Sequence, residues 1–380
     1  MRRPWIPLGV LSAVIAAQVF TASPAHAATA VGVSDGRLTV TAASGEANYI
    51  EVTPLSSGYY LVRDMLDSVV AGTGCTPFDS GVRCPAAGVR GIVVNAGDLV
   101  DYVRISPLIL VPAILRGGVG NDLMYAGSGP TRLDGFSGSD VLYGGPGKDE
   151  LRGGSQADTL YGGRGNDSLD SGTGSDRLFG GDDSDDLSGG TGDDLLNGEA
   201  GNDVLRADED ADSLFGGAGF DSAVYSERTR NVNVSLDDRR NDGSGFSVDG
   251  PGDNVRSDVE RVFGSLSSTN TLVGNNEANH LYGGQSLDVI VSAGGPDLLV
   301  GLDGADHIQA GAGDDTIDAG PGNDTYLTGD AGNDTVYGGA GRDHLNTVDE
   351  TPGNDTADGQ GDTDRCQTDS GDTRVSCETE

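Results

Sequence analysis

The chain has 380 residues, of which 63 are glycine, and its 60 acidic residues outnumber the 23 basic ones to give a formal net charge of -37. Binding to nucleic-acid phosphates needs clustered lysine and arginine, so this composition excludes nucleic acid as an expected partner. High charge with few aromatic residues is also typical of a disordered chain, unless the glycines and acids fall at fixed positions.

Residues 1–27 are predicted to be a cleaved signal peptide. Arg2 and Arg3 form a basic start, residues 6–20 are mostly apolar, and Ala25-His26-Ala27 matches a cleavage site. A membrane anchor is the alternative, but the apolar run is short for a membrane span and a cleavage site follows it. No second apolar stretch is long enough to cross a bilayer. We therefore expect an extracellular protein, secreted through this signal, without a membrane span.

Residues 28–116 are predicted to form a small β-rich N-terminal domain that caps the rest of the molecule. Segments 38–40, 49–52, 59–62 and 89–94 are rich in β-branched and aromatic residues, and glycine, proline and serine separate them. Asp101 and Val103 fit one degenerate unit of the repeat that follows.

The segment 117–224 consists of twelve nine-residue units without an insertion or deletion, beginning GGVGNDLMY, AGSGPTRLD, GFSGSDVLY and GGPGKDELR. Aspartate occupies the sixth position in eleven units, with Thr131 as the exception, and leucine occupies the eighth position in ten. Glycine dominates the first, second and fourth positions. A disordered acidic chain has no reason to keep this phase, so we predict an ordered repeat block.

The segment 225–264 interrupts the repeats. Val232, Val234 and Leu236 alternate as a strand does, and a polar stretch follows them. We expect a β insert, which is either a hairpin or two units without metal.

A second repeat block follows at 265–346, and degenerate repeats continue through 347–380. Asn270 and Asn279 replace the sixth-position aspartate in the first two units of this block, and later units return to aspartate. One extra residue follows Leu327, and the phase resumes with Asp334.

Four cysteines, Cys75, Cys84, Cys366 and Cys377, allow three pairings. Two short local disulfides, Cys75–Cys84 and Cys366–Cys377, are the simplest arrangement, and the second would close a C-terminal cap. A metal site is the alternative, but neither pair has CxxC spacing and no histidine lies near them.

The repeat closely resembles the RTX, or haemolysin-type, calcium-binding repeat GGxGxDxUx, in which U is a large apolar residue. The resemblance covers 117–224 and 265–346, and it implies an all-β fold, a right-handed parallel β-roll that holds Ca²⁺ in its turns. The cysteine spacing also looks like that of secreted bacterial proteins of this type. Many RTX proteins instead use an uncleaved C-terminal export signal, from which this chain departs.

Each unit divides into a six-residue turn, where glycine permits positive φ, and a three-residue strand with one inward apolar side chain. If two units make one coil, unit n stacks on unit n+2 and the sixth-position aspartates form columns. Calcium prefers six to eight oxygen ligands from carboxylates and carbonyls. Mg²⁺ is the second candidate metal, less favoured than calcium because it requires a stricter octahedral geometry. The predicted calcium ligands are Asp122, Asp140, Asp149, Asp158, Asp167, Asp176, Asp185, Asp194, Asp203, Asp212, Asp221, Asp288, Asp297, Asp306, Asp315, Asp324, Asp334 and Asp343.

The sequence offers little evidence of catalysis. His280, His307 and His344 lie within repeats, HExxH does not occur, and GxSxG is matched only once, at residues 32–36 ahead of the repeats. We therefore expect a non-catalytic structural or interaction protein that folds on binding Ca²⁺, with a macromolecular partner that the sequence does not name. The alternative is a haemolysin-like toxin or an enzyme whose activity lies in residues 28–116.

Overall fold

The computed structural model describes residues 28–208, 210–239, 243–244, 252–349 and 354–378. The predicted signal peptide at residues 1–27 lies outside this part of the chain. Every helix or strand element in the described residues is a β-strand, which confirms the all-β prediction. Within the same residues, no helix is long and apolar enough to cross a membrane.

The strands that precede the first repeat block vary in length. They are β1 Thr29–Ser34, β2 Arg37–Thr41, β3 Tyr49–Leu55, β4 Tyr59–Asp64, β5 Val69–Ala71, β6 Thr76–Phe78, β7 Gly81–Pro85, β8 Gly91–Asp98, β9 Tyr102–Ile105 and β10 Ala113–Val119.

The first repeat block supplies short strands at a regular spacing. They are β11 Leu123–Tyr125, β12 Thr131–Ser137, β13 Val141–Pro146, β14 Glu150–Ser155, β15 Thr159–Arg164, β16 Ser168–Thr173, β17 Arg177–Asp182, β18 Asp186–Ser188, β19 Leu195–Ala200, β20 Val204–Arg206, β21 Ser213–Ala218 and β22 Ser222–Val224.

The junction and the second half continue the series. The junction strands are β23 Val232–Ser235, β24 Gly243–Ser244, β25 Asn254–Val255 and β26 Arg261–Phe263. The remaining strands are β27 Asn270–Val273, β28 His280–Gly284, β29 Val289–Val291, β30 Leu298–Leu302, β31 His307–Ala312, β32 Thr316–Asp318, β33 Pro321–Gly322, β34 Tyr326–Ala331, β35 Thr335–Gly341, β36 His344–Asn346, β37 Thr356–Gln360, β38 Arg365–Gln367 and β39 Thr373–Val375.

The repeats wind into a parallel β-solenoid in which successive strands alternate between two sheets. Sheet I contains the even-numbered strands from β8 to β22 and continues through β26, β28 and β30. Sheet II contains the odd-numbered strands from β9 to β21. Leu142 pairs with Leu160, and Leu133 pairs with Leu151, both in parallel. This offset of two units confirms that unit n stacks on unit n+2.

The eighth-position side chains fill the space between the sheets. Leu142, Leu151 and Leu160 are completely buried, whereas the residues beside them on each strand are less buried. This alternation follows from the period of two along a β-strand. The buried apolar residues form one continuous core from Val31 to Cys366.

Parallel stacking begins before the first recognisable repeat. In sheet I, β8 pairs in parallel with both β2 and β10, and in sheet II β9 pairs in parallel with both β3 and β11. Strands β4, β7 and β6 add an antiparallel extension to the edge of sheet II. Part of residues 28–116 therefore stacks directly onto the solenoid.

The segment 225–264 contains a hairpin and also two strands that stack on the solenoid. Strands β23 and β24 pair as an antiparallel hairpin, while β25 and β26 stack in parallel on β21 and β22. Sheet II ends at β25, and β23 begins a third sheet, sheet III, which continues through β27, β29, β31, β34, β36 and β38. Sheet I runs through the junction without a break, since β26 also pairs with β28.

Both predicted disulfides are confirmed. Cys75–Cys84 and Cys366–Cys377 join Cα atoms that are 4.4 Å and 5.8 Å apart. The first links the segment before β6 to β7, and the second links β38 to the end of the described chain.

Glycine at the second position of a unit permits two features of the turn at once. Gly163 has a φ of 114°, which a residue with a Cβ rarely adopts. A Cβ at this position would also overlap the carbonyl oxygen of Gly145 in the preceding coil. The close stacking of coils therefore depends on the missing side chain.

Replacing Gly163 with alanine should destabilise the protein more than replacing Gly88 does. Gly88 also has a positive φ, 83°, but nothing lies within 4 Å of the position that a Cβ would occupy. Gly88→Ala should cost about 1–2 kcal/mol of backbone strain, whereas Gly163→Ala should cost about 1–3 kcal/mol more because of the collision. Urea unfolding midpoints measure the difference, and equal losses would contradict it.

Candidate metal centres

The sixth-position aspartates are buried in the turns, and a repeated hydrogen bond joins them along the solenoid. The backbone N–H of Asp122 donates to Oδ1 of Asp140 at 2.7 Å, and the N–H of Asp140 donates to Oδ1 of Asp158 at the same distance. Each carboxylate therefore accepts from the corresponding residue one coil earlier. We call a series joined by this bond an aspartate ladder.

Three ladders run along the described residues, with bond lengths of 2.6–3.1 Å except for the short contact between the N–H of Asp364 and Oε2 of Glu378. Ladder 1 contains Asn48, Asp101, Asp122, Asp140, Asp158, Asp176, Asp194, Asp212 and Asp253. Ladder 2 contains Thr131, Asp149, Asp167, Asp185, Asp203, Asp221 and Glu260, and resumes with Asn279, Asp297, Asp315, Asp334 and Asp355. Ladder 3 contains Asn270, Asp288, Asp306, Asp324, Asp343, Asp364 and Glu378.

The ladder bond survives large changes in the length of chain between its partners. Most partners are 18 residues apart, but Asp315 and Asp334 are 19 apart and are joined at 3.0 Å. Asn48 and Asp101 are 53 residues apart and are joined at 2.7 Å. The turn geometry, rather than a fixed residue count, sets the register.

The second oxygen of most ladder carboxylates is buried and has no hydrogen-bond partner. This holds for Oδ2 of Asp101, Asp122, Asp140, Asp149, Asp158, Asp167, Asp176, Asp185, Asp194, Asp203, Asp221, Asp297, Asp306, Asp315, Asp324, Asp334, Asp343, Asp355 and Asp364. Buried polar atoms without partners are costly and rare in native proteins. Their recurrence at equivalent positions points to a bound cation.

A backbone carbonyl lies beside the unpaired carboxylate oxygen. A Cβ atom placed on Gly162, at the first position of its unit, would lie 2.6 Å from Oδ2 of Asp167 and 2.6 Å from the carbonyl oxygen of Gly180 in the next coil. The same pairing of oxygens occurs at Gly144, with Asp149 and Gly162. First-position glycine therefore leaves a small space that two oxygen atoms border.

Burial makes the charged form of these carboxylates unfavourable in the absence of a cation. The pKa of Asp167 is raised to about 8, chiefly by burial and then by the neighbouring carboxylates of Asp149 and Asp185, against the lowering effect of the ladder bond. Burial likewise raises the pKa of Asp149 to about 7. A bound divalent cation would reverse this preference by compensating the carboxylate charge.

The available donors fit a hard cation. In the described part of the chain, no group of three His, Cys, Asp or Glu side chains converges to hold a metal, so further ligands would come from backbone carbonyls or water. Carboxylate and carbonyl oxygens are the ligands that Ca²⁺ prefers, whereas zinc prefers histidine and cysteine.

All eighteen aspartates predicted as ligands lie on the ladders. Asp212 and Asp288 differ from the others because their Oδ2 atoms accept the N–H of Asp208 at 3.3 Å and of Gly284 at 2.5 Å. The structure adds six acidic residues that the predicted set lacked: Asp101, Asp253, Glu260, Asp355, Asp364 and Glu378. An acidic residue two positions before a buried apolar one was the available signal for Asp101 and Asp253.

The asparagines that replace aspartate stand at the starts of ladders. Asn48 donates both its backbone N–H and its Nδ2 to Oδ1 of Asp101, at 2.7 and 3.0 Å. Asn270 does the same to Asp288, at 2.6 and 2.9 Å. A neutral amide thus gives the first aspartate an extra donor at each of these ends.

The comparison with protein families agrees with this geometry. A sequence model of the RTX calcium-binding nonapeptide repeat matches residues 114–133, 134–169, 165–196, 188–223, 266–299, 292–326, 326–347 and 351–375, which together make up more than half of the chain. No curated protein matches the chain. RTX repeats bind calcium ions, and all the unpaired ladder carboxylate oxygens except that of Asp101 lie within the matched segments. The chain belongs to the family of RTX calcium-binding nonapeptide repeat proteins.

Proposed function

We propose that this protein is a secreted, non-catalytic structural or interaction protein, and that it folds when Ca²⁺ binds between successive aspartates of each ladder. The observation that carries the proposal recurs from unit to unit: an aspartate Oδ2 without a hydrogen-bond donor lies beside a backbone carbonyl oxygen, next to a glycine that leaves space for an ion. The eighteen aspartates predicted from the sequence would be the main ligands.

Electrostatics supports folding that depends on calcium. Asp167 lies between Asp149 and Asp185, and all three carboxylates are almost completely buried. Without a cation, such a row has to remain charged against mutual repulsion or take up protons at neutral pH. Divalent cations between the carboxylates would remove both costs, so their binding energy would contribute directly to folding.

Secretion is supported by the two disulfides and by the signal expected at residues 1–27. Disulfides persist in oxidising compartments and are rare in the cytosol. Extracellular calcium modules bind Ca²⁺ with a Kd of about 10⁻⁴–10⁻³ M, so the repeats would remain unfolded at the low calcium concentration of the cytosol. The chain would then remain competent for export and would fold outside the cell.

The chain from residue 28 onward should be largely unfolded in chelator and β-rich in millimolar Ca²⁺. Far-UV circular dichroism during a calcium titration measures this. Tryptophan fluorescence cannot be used, because the only tryptophan, Trp5, precedes residue 28. Equal concentrations of Mg²⁺ should give a much smaller change, since Mg²⁺ dehydrates reluctantly and needs a stricter octahedron. An identical spectrum with and without calcium would refute the proposal.

Asp167→Asn should lower the number of calcium ions bound, whereas Asp170→Asn should leave it unchanged. Asparagine keeps an oxygen for the N–H of Asp149 but removes the charge from the sites shared with Asp149 and Asp185. Asp170 is exposed on β16 and belongs to no ladder, so Asp170→Asn removes the same charge without changing a proposed calcium ligand.

Calcium stoichiometry by equilibrium dialysis should therefore fall by up to two ions per chain for Asp167→Asn. At a calcium concentration of about ten times Kd, each lost site should reduce the free energy of unfolding by about 1.4 kcal/mol. Equal stoichiometry in the two variants would show that calcium does not lie between ladder aspartates.

A further inference from the structure

Ladder 1 ends in the junction with a carboxylate that is paired differently from those before it. Oδ1 of Asp253 accepts the N–H of Asp212 at 3.0 Å, as other ladder aspartates do. Its Oδ2, however, accepts a hydrogen bond from Nη2 of Arg228 at 2.8 Å. The side chains of Arg228 and Asp253 are only 2% and 1% exposed.

The surrounding chain holds Arg228 in this position. Its backbone N–H donates to the carbonyl of Tyr225 at 3.0 Å, and its own carbonyl accepts the hydroxyl of Ser265 at 2.7 Å. The guanidinium carbon lies 4.7 Å from the centre of the Tyr225 ring, which is completely buried. Since Nε and Nη1 have no hydrogen-bond partner, the main polar contribution of the guanidinium is its charge pairing with Asp253.

The last turn of ladder 1 is thereby satisfied by groups of the chain itself. Oδ2 of Asp212 accepts the N–H of Asp208, and Oδ2 of Asp253 is paired with Arg228, whereas Oδ2 of the preceding Asp194 has no partner. The unit that contains Asp212, ADEDADSLF, has no glycine in its turn.

We propose that the guanidinium of Arg228 takes the place of a calcium ion at the end of ladder 1, so that this ladder ends in a metal-free joint while ladder 2 continues through the junction. The inference rests on the proposed placement of calcium between ladder aspartates. The joint lies where sheet II gives way to sheet III. A permanent internal cation stabilises this coil at calcium concentrations too low to occupy the ladders.

An ordinary buried ion pair would be the other explanation, and calcium dependence separates the two. Loss of an ordinary ion pair lowers stability by the same amount at every calcium concentration. If Arg228 stands in for calcium, its removal leaves the Asp253 carboxylate without a compensating charge, and calcium can then bind there.

The test compares Arg228→Gln with Arg256→Gln in the chain from residue 28 onward. Arg256 lies in the same junction, pairs with Asp238 at 3.2 Å and contacts the Phe215 ring, but does not touch a ladder carboxylate. Arg228→Gln should bind one calcium ion more than wild type at saturation and should need a higher calcium concentration to fold. Arg256→Gln should change neither quantity.

An unchanged stoichiometry in Arg228→Gln, or a loss of stability that calcium does not reverse, would overturn the inference. The double variant Arg228→Gln/Asp253→Asn removes both charges and should fold with the wild-type stoichiometry. If this double variant folds while Arg228→Gln remains unfolded in saturating calcium, calcium cannot replace the guanidinium and the inference is wrong. If neither variant folds, the Arg228–Asp253 pair is needed for packing of the junction, and the inference is also overturned.

Wild type measured in the same experiment separates this inference from the proposed function. If wild type binds no calcium, the proposed function fails. If wild type binds calcium along the ladders and Arg228→Gln gains none, the joint alone is refuted.

Discussion

Almost every coil places a carboxylate in a turn where one oxygen accepts the N–H of the preceding coil and the other oxygen has no donor. Oδ1 of Asp158 accepts from Asp140, for example, while its Oδ2 is buried without a partner. The first interaction fixes the register of neighbouring coils, and the second creates a requirement for positive charge. Glycine at the first position follows from the same constraint, since a Cβ on Gly153 would overlap Oδ2 of Asp158.

At the ends of the ladders, groups of the chain itself compensate the carboxylates in place of a metal. Asn48 and Asn270 give the first aspartate of ladders 1 and 3 a second donor, and Arg228 pairs with the last carboxylate of ladder 1. The departures from the repeat consensus at these positions are therefore placed where a ladder starts or stops. They differ from random decay of the pattern, which would fall anywhere in a block.

The strict nonapeptide phase made the solenoid and the ladder aspartates predictable from the sequence, because the period of nine fixes which residues share a face. The same signal is weaker at Asp101, which the sequence showed only as a degenerate unit, and too weak at Asp253, because the turns of both lack the full glycine pattern. The role of Arg228 could not be predicted, because its partner lies 25 residues away in a part of the sequence that lacks the repeat pattern. The parallel pairing of β8 with β2 could not be predicted either, because the strands of the antiparallel extension separate these two strands in the sequence.

The tolerance of the ladder bond to chain length has a consequence for how such a protein can change over evolution. Partners 18, 19, 21 and 41 residues apart all form it, between Asp297 and Asp315, Asp315 and Asp334, Asp334 and Asp355, and Asp212 and Asp253. An insertion that bulges from a turn leaves the next coil in register, so genetic additions of almost any length are compatible with the fold. A shorter coil also occurs, since Asp364 and Glu378 form the bond although they are only 14 residues apart, and there the longer glutamate side chain supplies the oxygen. Drift in the length of a coil should therefore be tolerated in both directions, but over a wider range for added residues than for lost ones.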